Sequence, residues 1–240
     1  MKLLPYMLIL VLVGFFAPAK AQIQDDLWFD GQVILTDGQV VDGKLSYYSD
    51  RKTGLLQINT GNKILSFDAN QIVSFRFYDH ELQRHRRFYS LPYPLAGQNY
   101  DIMLFFEANY EGPHISLLSK TEFKTEIRNA NPHSYRYRGY YIPRWYNDPY
   151  SPRTYNIMVP YETLYLVTPE SSIEDYSDAT PVVEQRIRYR KADYDLLLEM
   201  MKDKRKAVEK FIETNKLNHR EKTDLIKIMH YYNQLKSDES

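Results

Sequence analysis

Four groups of residues in this 240-residue chain have side chains and spacing that could do chemistry. His80-Glu81 with His85 approaches the helical His-Glu-x-x-His pattern, in which two imidazoles one turn apart hold a metal beside a carboxylate. Here the second histidine comes one residue too late, Arg84, Arg86 and Arg87 would repel a cation, and the segment follows a strand. The stretch reads as a solvated hairpin tip or connector. The acidic pairs Asp25-Asp26 and Glu174-Asp175 could supply the two carboxylates of glycoside hydrolysis, but such pairs meet in space rather than in sequence, and each reads as an acidic surface. Lys202, Lys204, Arg205, Lys206 and Lys210 form a basic patch interleaved with Glu199, Asp203 and Glu209, the pattern of a charged helix face.

The strongest candidate is the segment from Asn129 to Tyr155, which holds four Pro, four Arg, seven Tyr and Trp145 with almost no aliphatic residues. It cannot build a core. Tyr and Trp give contact area at low entropic cost, Arg adds forked donors that stack on rings, and Pro keeps a loop extended. Tyr137, Arg138, Tyr140, Tyr141, Arg144, Trp145, Tyr146 and Tyr150 are therefore the predicted binding residues, for a protein or glycan partner. The competing reading has the segment cover a sheet edge or stack on itself through Arg–Tyr contacts.

Composition narrows the rest. With no cysteine, disulfides, thiol catalysis and thiolate metal sites are excluded. No phosphate-cradling glycine loop, dinucleotide fingerprint or nucleophile elbow occurs, so no cofactor or metal is expected. Lys2, the apolar run Leu3 to Phe16 and Ala19-Lys20-Ala21 form an export signal, with cleavage expected after Ala21. Removing residues 1–21 leaves 29 basic against 31 acidic residues, a formal charge of −2. That balance argues against nucleic-acid binding. No later window is apolar enough to span a membrane as a helix.

The elements that must position these residues are mostly strands. Between Gln32 and Asp79, five short runs are separated by Asp37-Gly38, Gly61-Asn62 and similar turn chemistry, a density expected of a small barrel. A second β region runs from Tyr100, with strands at Asp101 to Ala108, Ile115 to Leu118 and Ile157 to Val167. After Pro181 the period changes: Leu196, Leu197, Met200 and Met201, then Val208, Phe211 and Ile212, recur at helical spacing. Asn218 to Glu221 reads as a capping box that opens a third helix.

The Gly31-x-Val33-x-Leu35-x-Asp37-Gly38 entry with Gly43, the Val73/Phe75 strand ending at Asp79, and the tail motifs Asp203-Lys204, Phe211-Ile212, Asn215-Lys216-Leu217 and Tyr231-Tyr232-Asn233 resemble uncharacterised exported proteins of the Bacteroidetes. The first region is also similar to Sm-like and SH3-like barrels. The resemblance covers both ends of the mature chain, leaves the Tyr/Arg/Pro stretch unmatched and carries no catalytic residues.

The expected fold is α+β and mainly β. Residues 1–21 are the signal peptide, 22–92 a small Sm/SH3-like barrel, 93–180 a second antiparallel β region with the 129–155 insertion, and 181–240 a linker and docked three-helix tail. The expected function is that of a non-enzymatic envelope protein, periplasmic, outer-membrane-associated or secreted. The alternative is an envelope-polymer hydrolase with a carboxylate or His site, and a third reading has the tail drive self-association.

Overall fold

A computed structural model describes residues 28–48, 54–94, 99–129, 154–182, 189 and 192–238. The signal segment 1–21 lies outside these. Strand β1 (Phe29–Leu35) turns into β2 (Val40–Tyr48) at Asp37-Gly38, where Gly38 takes φ 84° and the Asp37 carboxylate accepts the Gln39 N–H at 2.9 Å. The same device joins β3 (Leu55–Asn59) to β4 (Ile64–Phe67), with Gly61 at φ 89° and the Asn59 side chain accepting its N–H. Then follow β5 (Ile72–Asp79), β6 (Arg84–Pro94), β7 (Asp101–Tyr110), β8 (Ser116–Asn129) and β9 (Thr154–Val167). The short pieces β10 (Glu174–Asp175) and β11 (Thr180–Pro181) both pair with β9.

All the described strands belong to one antiparallel sheet in the order β4-β3-β2-β1-β5-β6-β7-β8-β9-β10. The five strands expected before Asp79 are present. The expected closed barrel is not shown: β6 occupies the free edge of β5, and the sheet ends open at β4. What remains of closure is a curl. Three strands separate β2 from β7, so on a flat sheet they would lie roughly 19 Å apart at the usual strand spacing. Yet the ring of Tyr47 in β2 lies 5.3 Å from Phe75, 5.0 Å from Phe88 and 5.8 Å from Phe105 in β7. The concave face thereby wraps around a first core that includes Val33, Leu45, Ile58, Phe75, Phe88 and Phe105.

The last elements are α1 (Tyr194–Met200), a 3-10 turn at Lys202–Lys204, α2 (Arg205–Asn215) and α3 (Lys222–Ser237). Asp193 caps α1 by accepting the Leu196 N–H at 2.9 Å. The expected capping box at Asn218 is not formed. The cap of α3 is Glu221, and the Asp224 carboxylate instead reaches back to the Asn218 N–H at 3.1 Å. The helices dock on the sheet. Leu197, Val208, Leu225 and Ile228 share a second core with Ile115 and Leu117 of the β8 region and Leu164 and Leu166 of β9. Asn233 of α3 fixes this docking, accepting the N–H groups of His114 and Ile115 and donating to the Ile115 carbonyl. A smaller third core, with Leu104, Phe106, Leu118 and Tyr165, lies on the opposite face of the sheet.

The curl sets a local requirement at Gly31. A Cβ there would lie 2.4 Å from the Arg76 carbonyl oxygen and 2.8 Å from the Phe77 Cβ. Both neighbours sit on the adjacent strand and cannot rotate away. Gly31→Ala is therefore expected to destabilise the fold by about 1–3 kcal/mol in urea unfolding, the usual range for forced overpacking. An unchanged midpoint would show that the curl relaxes freely.

Candidate functional site

Strand alternation places polar side chains on the concave face between the first core and the helical core. Asp79 follows Phe75 and Phe77, Arg84 and Arg86 precede Phe88, and Glu107 follows Phe105 at the same two-residue period. The Arg86 guanidinium grips both Glu107 oxygens, at 3.0 Å through Nε and 2.6 Å through Nη2, and reaches Asp79 at 3.3 Å through Nη1. Arg84 adds a bond of 2.7 Å to Glu107. Asp79 and Glu107 are each only 5% exposed, so two buried carboxylates share two arginines. The guanidinium also lies over Phe88, 5.1 Å from the ring centre.

Glu162 lies on the same face of β9, two residues from Leu164, which stands in register with Ser119 and Glu107. It accepts bonds of 2.6 Å from the Lys222 ammonium of α3 and 2.6 Å from the Tyr189 hydroxyl. Lys222 donates further to Asn109 at 3.3 Å. Burial alone would raise the Glu162 carboxyl. The Lys222 charge and the hydrogen bonds from Lys222, Tyr189 and Ser119 outweigh it and hold the group below the ordinary range. A general acid needs the opposite shift, so Glu162 is arranged as a docking anion.

The one-residue-late histidine pattern is resolved as a turn. Asp79 accepts the N–H groups of Glu81 and Leu82 at 3.0 Å, and His80 and His85 both stand edge-on to Tyr78. Arg84 and Arg86 take up the carboxylates a metal would need. Among the described residues no group of three or more His, Cys, Asp or Glu could hold a metal ion.

A cleft of about 480 Å³ opens on the opposite side of the sheet, lined by Tyr93, Thr163, Tyr165, Asp175, Asp178 and Asp193. Glu174-Asp175, read from sequence as an acidic surface, is the short strand β10, and Asp175 forms part of the wall of this cleft. The Tyr93 hydroxyl donates to Asp175 at 2.8 Å, and burial together with that carboxylate pushes Tyr93 up to about 12. Asp193 is already engaged as the α1 cap, so Asp175 and Asp193 both serve structural hydrogen bonds.

The longest strand pairing among the described residues is the β8–β9 hairpin, fourteen residues from Ser116↔Val167 to Asn129↔Thr154. β7 pairs with β8 only at Leu117, Leu118 and Ser119, while β11 flanks β9 as far as Tyr161 and the Val182 N–H bonds the Pro160 carbonyl, so the hairpin leaves the sheet as a two-stranded ribbon from Lys124↔Val159 outward. One face of the hairpin carries Phe123, Ile127 and Met158, exposed by 44%, 73% and 64%. The other is charged and internally paired: Glu126 accepts from Tyr161 at 2.6 Å and from Arg128 at 3.2 Å, while Lys124 lies over the Tyr161 ring. The predicted binding residues Tyr137, Arg138, Tyr140, Tyr141, Arg144, Trp145, Tyr146 and Tyr150 lie outside the described residues, in the segment 130–153 between the two paired ends of this ribbon.

Sequence reasoning overlooked the buried polar belt and the apolar stripe on the ribbon. A signal for the belt was present. Glu107 is a single charge closing the apolar run Ile102 to Phe106, and Arg84 and Arg86 alternate like core residues. No protein-family model matches the chain, and no curated protein or solved structure matches it.

Lys222→Met would leave the buried Glu162 charge without its cation, with an expected loss of about 3 kcal/mol. Because the Glu162 pKa is lowered by folding, its contribution is present above the ordinary carboxyl range and fades as pH falls through the folded value. Thermal melts across the acid range are therefore expected to show the helical tail loosening below about pH 4. Glu162→Gln should flatten that part of the profile; an unaltered acid limb in this variant would remove Glu162 from the account.

Proposed function

We propose that the chain is an exported envelope protein with no catalytic activity of its own, which binds a protein or glycan partner through its Tyr/Arg/Pro-rich segment. In this reading residues 1–21 direct export and are removed, the first five strands are a curled relative of the Sm/SH3-like barrel, and Tyr140, Tyr141, Arg144 and Trp145 lead the contact. The observation that carries the reading is the ribbon. A hairpin of fourteen paired residues on each strand carries the aromatic, arginine-rich segment between its ends. Such a placement suits recognition, because binding residues are commonly carried on loops that join paired strands of a scaffold. The buried carboxylates favour it too. Asp79, Glu107 and Glu162 are bound by Arg84, Arg86 and Lys222, which leaves them in structural rather than proton-transferring roles.

Capture from envelope extracts tests the reading, using the chain from Gln22 beside a variant with Tyr140, Tyr141, Trp145 and Tyr146 replaced by alanine. The parent is expected to retain a partner that the variant loses, with circular dichroism unchanged. Identical retention by both would assign the segment to covering the protein's own surface.

A further inference from the structure

We infer that the open edge strand β4 pairs antiparallel with β4 of a second copy of this chain, about a two-fold axis at Leu65. This contact is distinct from the aromatic segment and does not depend on what that segment binds. The groups that the edge offers follow from the β3–β4 turn. Thr60 donates its N–H to the Lys63 carbonyl at 3.1 Å, and opposed residues of an antiparallel ladder alternate between bonded and non-bonded pairs. Ile58↔Leu65 and Leu56↔Phe67 are therefore bonded pairs, and the N–H and C=O groups of Ile64 and Ser66 point away from β3. The free edge stops at Asp68, which donates its N–H to the Gln71 side chain and accepts the Gln71 N–H on its carbonyl.

An edge of this kind fits a copy of itself. With the axis at Leu65, Ile64 of each copy stands opposite Ser66 of the other, and the two exchange both hydrogen bonds, so every outward group of both strands is used. An axis at Ser66 would instead oppose Ile64 to Asp68, whose backbone groups are already engaged. The side chains agree with the first register. Leu65 packs against the first core and meets its own mate on the concave face, extending that core. Ile64, 57% exposed, lies diagonal to its mate on the convex face. Lys63 falls opposite Phe67 and Asn62 opposite Asp68, so no like charges are opposed. Exposed edges are ordinarily defended by proline, a bulge or charged side chains, and Ile64-Leu65-Ser66-Phe67 carries none of these. The contrast with β8 is direct. Where β8 has parted from β7, it carries Lys120, Glu122, Lys124, Glu126 and Arg128 at every second position, the pattern of a defended edge. The β4 contact is small, so the dimer is a weak one that forms as concentration rises.

Hydrogen exchange of the chain from Gln22 at rising protein concentration tests the proposal without a variant. The amides of Ile64 and Ser66 are expected to exchange freely in dilute solution and to gain protection with concentration, while Leu65 and Phe67, bonded to β3, stay protected throughout. Sedimentation over the same range should show the mass moving from monomer toward dimer. Ser66→Pro removes only an outward N–H and should raise the dissociation constant about tenfold or more. Ile64→Lys, which sets two ammonium groups diagonally across the axis, should act in the same direction. Met158→Lys, at a similarly exposed position on β9, should associate as the parent does. Because the chain has no cysteine, Leu65→Cys adds a single thiol whose mate lies about 4.5 Å away between Cα atoms, within disulfide reach. The corresponding distance for Phe67→Cys is roughly 13 Å, so mild oxidation should cross-link the first variant and not the second. A monomer at every concentration, protection of Ile64 and Ser66 already present in the monomer, or full association by Ser66→Pro would each overturn the proposal. So would association that Met158→Lys abolishes, since it would move the interface to the β8–β9 hairpin.

Discussion

The organisation of this protein depends on the buried Arg86 guanidinium and the two carboxylates it joins. Glu107 lies on β7 and Asp79 at the end of β5, so the bidentate grip on one and the bond to the other tie strands on both sides of β6. Ion pairs of this kind do not necessarily add stability, because desolvation offsets much of the attraction. Their effect here is one of position. Each charge is satisfied only when the strands stand in this register, and a slip of one residue would turn Arg86 to the opposite face and leave both acids uncompensated in the interior.

The belt also explains why two apolar cores share one face of a sheet without merging. On one side of it, the curl brings the aromatic rings of β2 and β5 to β7 together around Tyr47. On the other, three helices cover β8 and β9 through Leu117, Leu164 and Leu166. Between them, Glu162 holds Lys222 at the first turn of α3, so a charge pair and an apolar face together set where the tail lies on the sheet. The ribbon begins where neither core reaches. Once β8 has parted from β7 and β9 from β11, Ile127 and Met158 stand largely exposed.

Local chemistry was legible in the sequence, and long-range geometry was not. Asp37-Gly38 and Gly61 marked their turns because positive φ favours few residues, and the three- and four-residue spacing of Leu197 with Met200 and Met201, and of Val208 with Phe211 and Ile212, marked helices with a buried side. Closure of the first five strands could not be read, because it depends on whether β5 keeps a free edge, and Arg84 to Pro94 pairs there instead. The capping box at Asn218 failed for a similar reason: Asp224, six residues on, competes for the Asn218 N–H and draws the helix start to Lys222. The aromatic segment stood out by composition, yet its place between the ends of a ribbon follows from fourteen residue pairs that no local pattern specifies.

The belt is expected to couple the aromatic core and the helical core into one cooperative structure. Native-state hydrogen exchange measures this most directly, by comparing amides of Val33 and Phe75 with those of Ile228 and Met229 as urea is added. Both sets are expected to converge on the same opening free energy and the same denaturant dependence. Separate values, with the α3 amides opening well below those of β1 and β5, would contradict it and make the helical tail an independent unit.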